Sequence, residues 1–190
     1  MRSTPSIYIR RLPLRVFGAL WLSALLGLSA ACASIPTAVS TSQSGGTYTD
    51  AQYHFKITYP RGWQAKVLYS SATSLQFAVQ PINEQDPRGL NPSVYLDISS
   101  LQGLVGGASE VEAEFAKKVG SVGFSVVTIS GKTAYEDGPV TEHQPNRSLT
   151  QNDYYLIYDD KEYHFAVASI DTISGNAQTV QMIFQSFTII

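Results

Sequence analysis

The chain has 190 residues, with 13 Lys and Arg, 15 Asp and Glu and a single cysteine. Four arginines and no acidic residue lie within positions 1–31, so residues 32–190 hold 9 basic against 15 acidic side chains, a net charge of −6. Nucleic-acid binding needs a concentrated basic face, which this balance argues against. One cysteine excludes an intramolecular disulfide.

The first 31 residues are typical of a secretory signal peptide. Arginines come first, an apolar run begins at Val16, and small residues end it before Cys32. A helix that crosses the hydrocarbon core of a membrane needs about 20 apolar residues, and this run is shorter. We therefore expect residues 1–31 to direct export and to take no part in the fold.

Residues 28–32, LSAAC, resemble the bacterial lipobox. In that motif a peptidase cuts just before a cysteine whose thiol carries a diacylglyceryl group, although Ser29 stands here where an aliphatic residue is usual. The alternative is an unmodified thiol in an ordinary signal peptide. The resemblance implies that Cys32 is a lipid attachment site at the extracytoplasmic face of the cell membrane, where acyl chains contribute about 0.8 kcal/mol per buried CH₂.

The remainder divides into a tether and one domain. Residues 32–47 are rich in Ser, Thr and Gly and carry no charge, a composition that stays flexible because it buries too little apolar surface. Residues 48–190 have the length of one domain, and no second linker or internal repeat interrupts them. We expect residues 32–47 to hold this domain off the membrane.

Four strands are predicted at the start of the domain. Phe55, Ile57 and Tyr59 alternate with polar side chains, which is the period of a half-buried strand. The segment Pro60–Gly62 then predicts a turn. Three further strands are predicted at residues 63–68, 74–80 and 93–99, and the proline-rich segment 81–92 predicts a loop.

Residues 109–120 change to the helical period. Apolar side chains lie on one side of this segment, and Ser109 with Glu112 resembles a capping box at its start. A strand is predicted at residues 124–130 and a short one at residues 132–136. Residues 136–153 are polar and predict an insertion.

A hairpin and a helix are predicted to close the domain. Residues 154–158 and 162–170 have the composition of strands and flank the turn Asp159–Lys161. The segment after them has a helical apolar period, with Ser174 or Asn176 as its cap. Strands, helix, strands and helix in this order predict an α+β fold in which helices cover an antiparallel sheet.

Residue types that carry chemistry are present without a recognisable arrangement. The histidines are His54, His143 and His164, none at helical ligand spacing, and His54 with His164 on neighbouring predicted strands is the one pairing considered for a metal. There is no Gly-x-Ser-x-Gly elbow, no Ser, His and Asp at recognisable spacing, and no phosphate-binding glycine loop. We expect neither catalysis nor a cofactor or metal.

Aromatic side chains are the remaining candidates for ligand contacts. Those of the first strands are predicted to form the buried face of the sheet. In the late hairpin, Tyr154, Tyr155 and Tyr163 are candidate ligand-binding residues for a sugar or a peptide. Tyr154 and Tyr155 point to opposite faces of their strand, so one covering layer cannot bury both.

Two short patterns near the ends of the domain resemble those of the PsbP-like family. Residues 59–63, YPRGW, match its Tyr-Pro-x-Gly-Trp pattern, and Ser186 with Phe187 follows the last predicted helix. The resemblance implies an αβα sandwich around a central antiparallel sheet and a mostly non-catalytic role as an accessory or binding module. No residue here supports a photosynthetic function.

These expectations combine into a membrane-anchored extracytoplasmic lipoprotein whose PsbP-like domain binds an envelope protein or a small ligand. Two alternatives stay open. One is an envelope hydrolase in which folding brings Ser, Asp and His together, and it requires a Ser or a carboxylate within about 3.2 Å of a histidine. The other is a glycan- or peptide-binding module that uses the tyrosines of the late hairpin.

Overall fold

The computed structural model describes residues 45–83, 91–144, 147–171 and 175–190. The predicted signal peptide, Cys32, most of the predicted tether and most of the predicted loop at 81–92 lie outside these ranges. Within them the chain forms β1 (Gly46–Asp50), β2 (Phe55–Tyr59), β3 (Trp63–Ser70), β4 (Ser74–Pro81), β5 (Ser93–Ser100), α1 (Gly107–Lys118), β6 (Phe124–Ile129), β7 (Lys132–Gln144), β8 (Arg147–Tyr158), β9 (Lys161–Ile170), α2 (Asn176–Gln185) and β10 (Thr188–Ile189).

The strands form two antiparallel sheets. The larger sheet has seven strands in the order β3-β4-β5-β9-β8-β7-β6, and the smaller has three in the order β1-β2-β10. Strand β1 begins at Gly46, which pairs with Tyr59, so the first strand starts two residues before the predicted domain start at Tyr48. Neither described helix combines the length and the apolar composition that crossing a membrane requires.

The hydrophobic core lies between one face of the larger sheet and a layer made of α2 and the smaller sheet. The Phe187 ring, which follows α2, lies 5.6 Å from Phe55 on β2 and 4.8 Å from Phe165 on β9. Phe55 also meets Phe77 on β4 at 5.6 Å. The predicted burial of the first strands is confirmed, because Phe55, Ile57, Tyr59 and Trp63 are all at most 8% exposed.

Helix α1 lies on the opposite face of the larger sheet. Its Phe115 ring stacks on Tyr155 of β8, whereas the adjacent Tyr154 stacks on Phe184 of α2. Since neighbouring residues of a strand point to opposite faces, the two helices cover different sides of the sheet. The predicted α+β fold, with helices on both sides of an antiparallel sheet, is therefore confirmed.

The start of α1 differs from the prediction. The helix begins at Gly107, its N-cap is Gly106 in the left-handed conformation, and no side chain caps it. Ser109 lies inside the first turn, so the predicted capping box with Glu112 is wrong. A positive φ of 78° at Gly106 costs little because glycine has no Cβ, and the backbone therefore turns into the helix without a side-chain cap.

The predicted insertion at residues 136–153 is also corrected. This segment forms most of the long hairpin β7–β8, and β8 continues its pairing with β9 from Leu149 opposite Ile170 to Tyr158 opposite Lys161. Backbone hydrogen bonds to β9 hold β8 in place, so strand formation here does not need an apolar alternation. The predicted turn after β8 is confirmed at Asp159 and Asp160, which both have positive φ.

A hydrogen bond in the core provides a test of the packing between β9 and the β1–β2 turn. Burial raises the pKa of Tyr163 to about 12, and its hydroxyl donates to the Tyr53 carbonyl oxygen at 3.0 Å. We expect Tyr163→Phe to lower the free energy of unfolding by about 1–2 kcal/mol, because it leaves a buried carbonyl without this donor. Urea denaturation measures the loss. Tyr69→Phe, at a 53% exposed side chain, is the matched control and should change little; equal effects would contradict the assignment.

Candidate functional site

A row of side chains crosses the face of the larger sheet that carries α1, which we call the outer face. The strand register places Gln76 opposite Asp97, Asp97 opposite His164, and His164 opposite Tyr155. Tyr155 in turn lies opposite Tyr135. Directly opposed residues of antiparallel strands share a face, so the row runs continuously over β4, β5, β9, β8 and β7.

Helix α1 covers only the β7–β8 end of this face. Phe115 stacks on Tyr155 at 4.7 Å and on Tyr135 at 5.5 Å between ring centroids. No residue of α1 is buried, so the helix is a shallow cover held by this aromatic contact. Over β4, β5 and β9 two outer-face alanines, Ala78 and Ala168, are buried, but the larger polar side chains remain partly exposed. We call Gln76, Tyr95, Asp97, Glu162 and His164 the open face.

His164 is held in a defined orientation between β8 and β9. Its Nε2 lies 3.0 Å from Asp153 Oδ1, and because an ionised carboxylate only accepts, Nε2 carries the proton of this hydrogen bond. Gln151 Nε2 donates to the same carboxylate at 3.0 and 3.2 Å. The imidazole lies parallel to the Tyr155 ring, 4.6 Å away and tilted by 3°. Stacking and hydrogen bonding together position the ring at the edge of the open face.

The electrostatics of the open face are dominated by carboxylates. Burial raises the pKa of Glu162 because it disfavours the charged form; Asp97 adds to this effect, and His164 and Lys118 oppose it. The pKa of Tyr95 is also raised, by burial first and then by Asp97. Negative charge is therefore held in a partly desolvated setting in which a cation gains more than it does in bulk water.

The three tyrosines predicted to contact a ligand are not brought together. Tyr154 is 6% exposed and packs under α2, and Tyr163 is 1% exposed within the core. Tyr155 is partly exposed and lies on the opposite side of the sheet, beside α1. Tyr154 and Tyr163 are therefore not accessible to a sugar or a peptide, and the three tyrosines do not form one groove.

The predicted pairing of His54 with His164 is wrong. His54 belongs to the turn before β2 and has a positive φ of 56°, so it is not a strand residue. Strand β2, which follows it, belongs to the smaller sheet, whereas His164 lies in the larger one. Among the residues that the structure describes, no three His, Cys, Asp or Glu side chains are grouped in a way that holds a metal ion.

Two histidine pairs meet the distance requirement of the hydrolase alternative. His143 Nδ1 lies 2.8 Å from Ser148 Oγ, and His164 Nε2 lies 3.0 Å from Asp153 Oδ1. A catalytic relay needs the serine and the carboxylate on one histidine. Ser148 and Asp153 are five residues apart on β8, about 16 Å at the rise of a strand, so the two pairs are separate.

A cavity of about 290 Å³ lies between β1 and the β3–β4 hairpin. Asp50 is its charged lining residue, with Tyr48, Gln52 and Val67 among its neighbours. The Asp50 carboxylate accepts the Tyr48 hydroxyl at 2.9 Å and the backbone N–H of Gln52 at 3.0 Å. Because these contacts already occupy the carboxylate in shaping the turn, the cavity is a weaker candidate than the open face.

Sequence reasoning missed most of the open face. In β9 the partly exposed Glu162 and His164 alternate with buried Tyr163 and Phe165, and that alternation was a readable signal of a polar face. No comparable signal joined them to Asp97 or Asp153. Their proximity depends on the pairing of β5, β9 and β8, which residue order alone does not specify.

The chain is similar to several solved structures, and two of them are described here. No family model and no curated protein matches it. The solution structure of cyanobacterial PsbP (CyanoP) from Synechocystis sp. is 14% identical with a TM-score of 0.49, and the similarity covers 80% of this chain and 95% of that one. A crystal structure from Bacteroides thetaiotaomicron is 11% identical with a TM-score of 0.48, covering 78% of this chain. The chain spans about half of the Bacteroides protein, 49%. Neither TM-score reaches 0.5, so the α+β assignment rests on the strands and helices of the chain itself.

Proposed function

We propose that this protein is a membrane-anchored extracytoplasmic lipoprotein whose PsbP-like domain is a non-catalytic binding or accessory module, and that the open face is its binding surface. The observation that carries the proposal is that the two faces of the larger sheet are covered to different extents. Its inner face is packed against α2 and the smaller sheet, whereas its outer face is covered at the β7–β8 end and partly exposed over β4, β5 and β9.

A rigid platform favours binding over chemistry. The open-face side chains lie on paired central strands, so their positions are set by the sheet rather than by loops. His164 is hydrogen-bonded to Asp153 and stacked on Tyr155. This arrangement presents fixed polar and aromatic groups to a partner.

The PsbP-like assignment is supported by where its two sequence patterns lie. Trp63 and Tyr59 of the first pattern are buried, and the backbone N–H of Trp63 donates to the Pro60 carbonyl oxygen at 3.2 Å across the turn. The Ser186 hydroxyl of the second pattern accepts the Thr58 N–H at 2.8 Å and lies 2.9 Å from the Thr58 carbonyl oxygen. The two patterns therefore meet at β2, and each contributes to closing the same core.

The binding role predicts a position-dependent crosslink in the bacterial host. A photo-crosslinking residue at Ser99, which is exposed and lies opposite Glu162 at the edge of the open face, should form a discrete adduct with an envelope partner. The same residue at Met182, 52% exposed on α2, should not, because it lies on the other side of the sheet. Adducts are measured by immunoblot of the full-length protein. Equal labelling from both positions, or none from Ser99, would refute the proposal.

A further inference from the structure

The charges of the outer face are unbalanced at its open end. Asp97 and Glu162 belong to the open face, and Asp153 and Asp137 follow on β8 and β7, where the register sets them opposite each other. Among the residues that the structure describes, the cations on this face are Lys66 on the edge strand β3 and Lys118 on α1, together with His164 when it is protonated. Lys66 lies on β3 and Asp97 on β5, and the backbones of these two strands are about 10 Å apart at the usual spacing of paired strands.

Helix α1 is a segment of the chain that already packs on the outer face, and its contacts indicate which side chains this face accepts. Phe115 stacks on Tyr155, and the Lys118 ammonium lies 5.4 Å from the Phe115 ring centroid and 5.8 Å from that of Phe124. Lys118 also lowers the pKa of Glu162 through its charge. Helix α1 therefore places an aromatic ring and a cation on the outer face. The acidic and aromatic side chains of that face favour both groups.

The open end repeats these surroundings. The charge of Lys118 on α1 acts on Glu162, but Phe115 stacks on Tyr155 and Tyr135 rather than on the open-face side chains. The row places the imidazole of His164 between Tyr155 on one side and Asp97 on the other. A guanidinium or ammonium group that enters beside His164 meets the Asp97 carboxylate and the partly desolvated Glu162. Burial raises the pKa of Glu162, which means that its ionised form is held at a cost in free energy. A cation that binds beside it stabilises the ionised form and offsets this cost.

We propose, building on the binding role of the open face, that its occupant is a basic peptide segment of a partner protein whose Lys or Arg side chains lie against Asp97 and Glu162. Charge complementarity carries this choice. Neutral sugars can donate hydroxyl hydrogen bonds to the carboxylates but gain no charge attraction from them, and acidic segments are repelled by them.

Peptide binding to the purified full-length protein in neutral detergent tests the inference. The probe is a fluorescent 12-residue peptide of alternating Arg and Ser, compared with versions in which Gln or Glu replaces Arg, and anisotropy is the readout. We expect the Arg peptide alone to bind and its affinity to fall as salt rises. Asp97→Asn combined with Glu162→Gln should weaken it roughly tenfold, because two close charge pairs are lost.

A control with the same change of net charge separates the site from general attraction. Glu110→Gln with Glu142→Gln removes two exposed carboxylates, on α1 and β7, that do not belong to the open face, and should leave the affinity unchanged. Ser99→Lys is a second variant, because it adds a cation at an exposed position and should also weaken binding. Equal loss in the control variant, binding of the Gln peptide as tight as that of the Arg peptide, or no binding overturns the inference. If the Ser99 crosslink persists in that case, the face still binds a partner, but of another chemistry.

Discussion

Replacing Phe187 with alanine is expected to lower the free energy of unfolding by about 4 kcal/mol. The ring is 2% exposed and lies 5.6 Å from Phe55, 6.1 Å from Tyr163 and 4.8 Å from Phe165. Alanine removes the aromatic group that joins the two sheets, and neighbours fixed in paired strands cannot move in to fill the space. The measurement is urea denaturation followed by circular dichroism.

Met182→Ala is the control for this loss. Met182 is on α2, close in sequence to Phe187, but its side chain is 52% exposed. A substitution at such a position normally changes the free energy of unfolding by no more than about 0.5 kcal/mol. If Phe187→Ala cost less than about 1 kcal/mol, the contact between the two sheets would not be the stabilising feature described above.

Replacing Cys32 with alanine is expected to abolish attachment of lipid to the protein. The resemblance to a lipobox assigns the acyl groups to this thiol, and two or more acyl chains at about 0.8 kcal/mol per buried CH₂ hold a protein at a membrane durably. Incorporation of a clickable palmitate analogue in the bacterial host measures the modification, and membrane fractionation measures where the protein resides. The label should disappear completely in the variant.

Ser34→Ala is the matched substitution for this test, because it alters the same segment two residues further on without removing a thiol. It should incorporate the label as the natural sequence does. An unprocessed precursor retains the apolar run that begins at Val16, so the label rather than the membrane fraction decides the outcome. Undiminished labelling of Cys32→Ala would show that the acyl groups are attached elsewhere or that the assignment is incorrect.

The strands that could be predicted are those with one fully buried face. In β2, Phe55, Ile57 and Tyr59 are buried and the residues between them are exposed, and the same alternation runs through β5. A strand with one buried face has an apolar residue at every second position, and this alternation can be recognised in the sequence. The α+β class followed from these strands together with the helical period at residues 109–120.

Two features of the fold could not be predicted from the period of apolar residues. Residues 136–153 lack an apolar alternation, yet most of them form strands because β9 supplies a ladder of backbone partners for β8. The start of α1 was misjudged because a left-handed Gly106, rather than a side chain, begins the helix. Backbone hydrogen bonding, which is nearly independent of side-chain type, decided the first case. The conformational freedom of glycine decided the second.

The candidate site was only partly visible in the sequence. His164 was expected on a polar strand face, where it lies, but it was paired with His54 instead of Asp153. Tyr154 and Tyr155 were expected to point apart, and the structure shows why both are covered, since α2 packs on one and α1 on the other. Tyr163 was offered as a ligand contact, and its hydroxyl instead donates to a carbonyl oxygen within the core.

The sequence by itself determined the single cysteine, the acidic balance of residues 32–190, the buried faces of the first strands and the class of the fold, because composition and local period carry that information. Only the tertiary structure decided which polar residues share a surface. Asp97, Asp153 and His164 meet because β5, β9 and β8 are adjacent in one sheet with a particular register, and a shift of one residue would turn each of them to the other face.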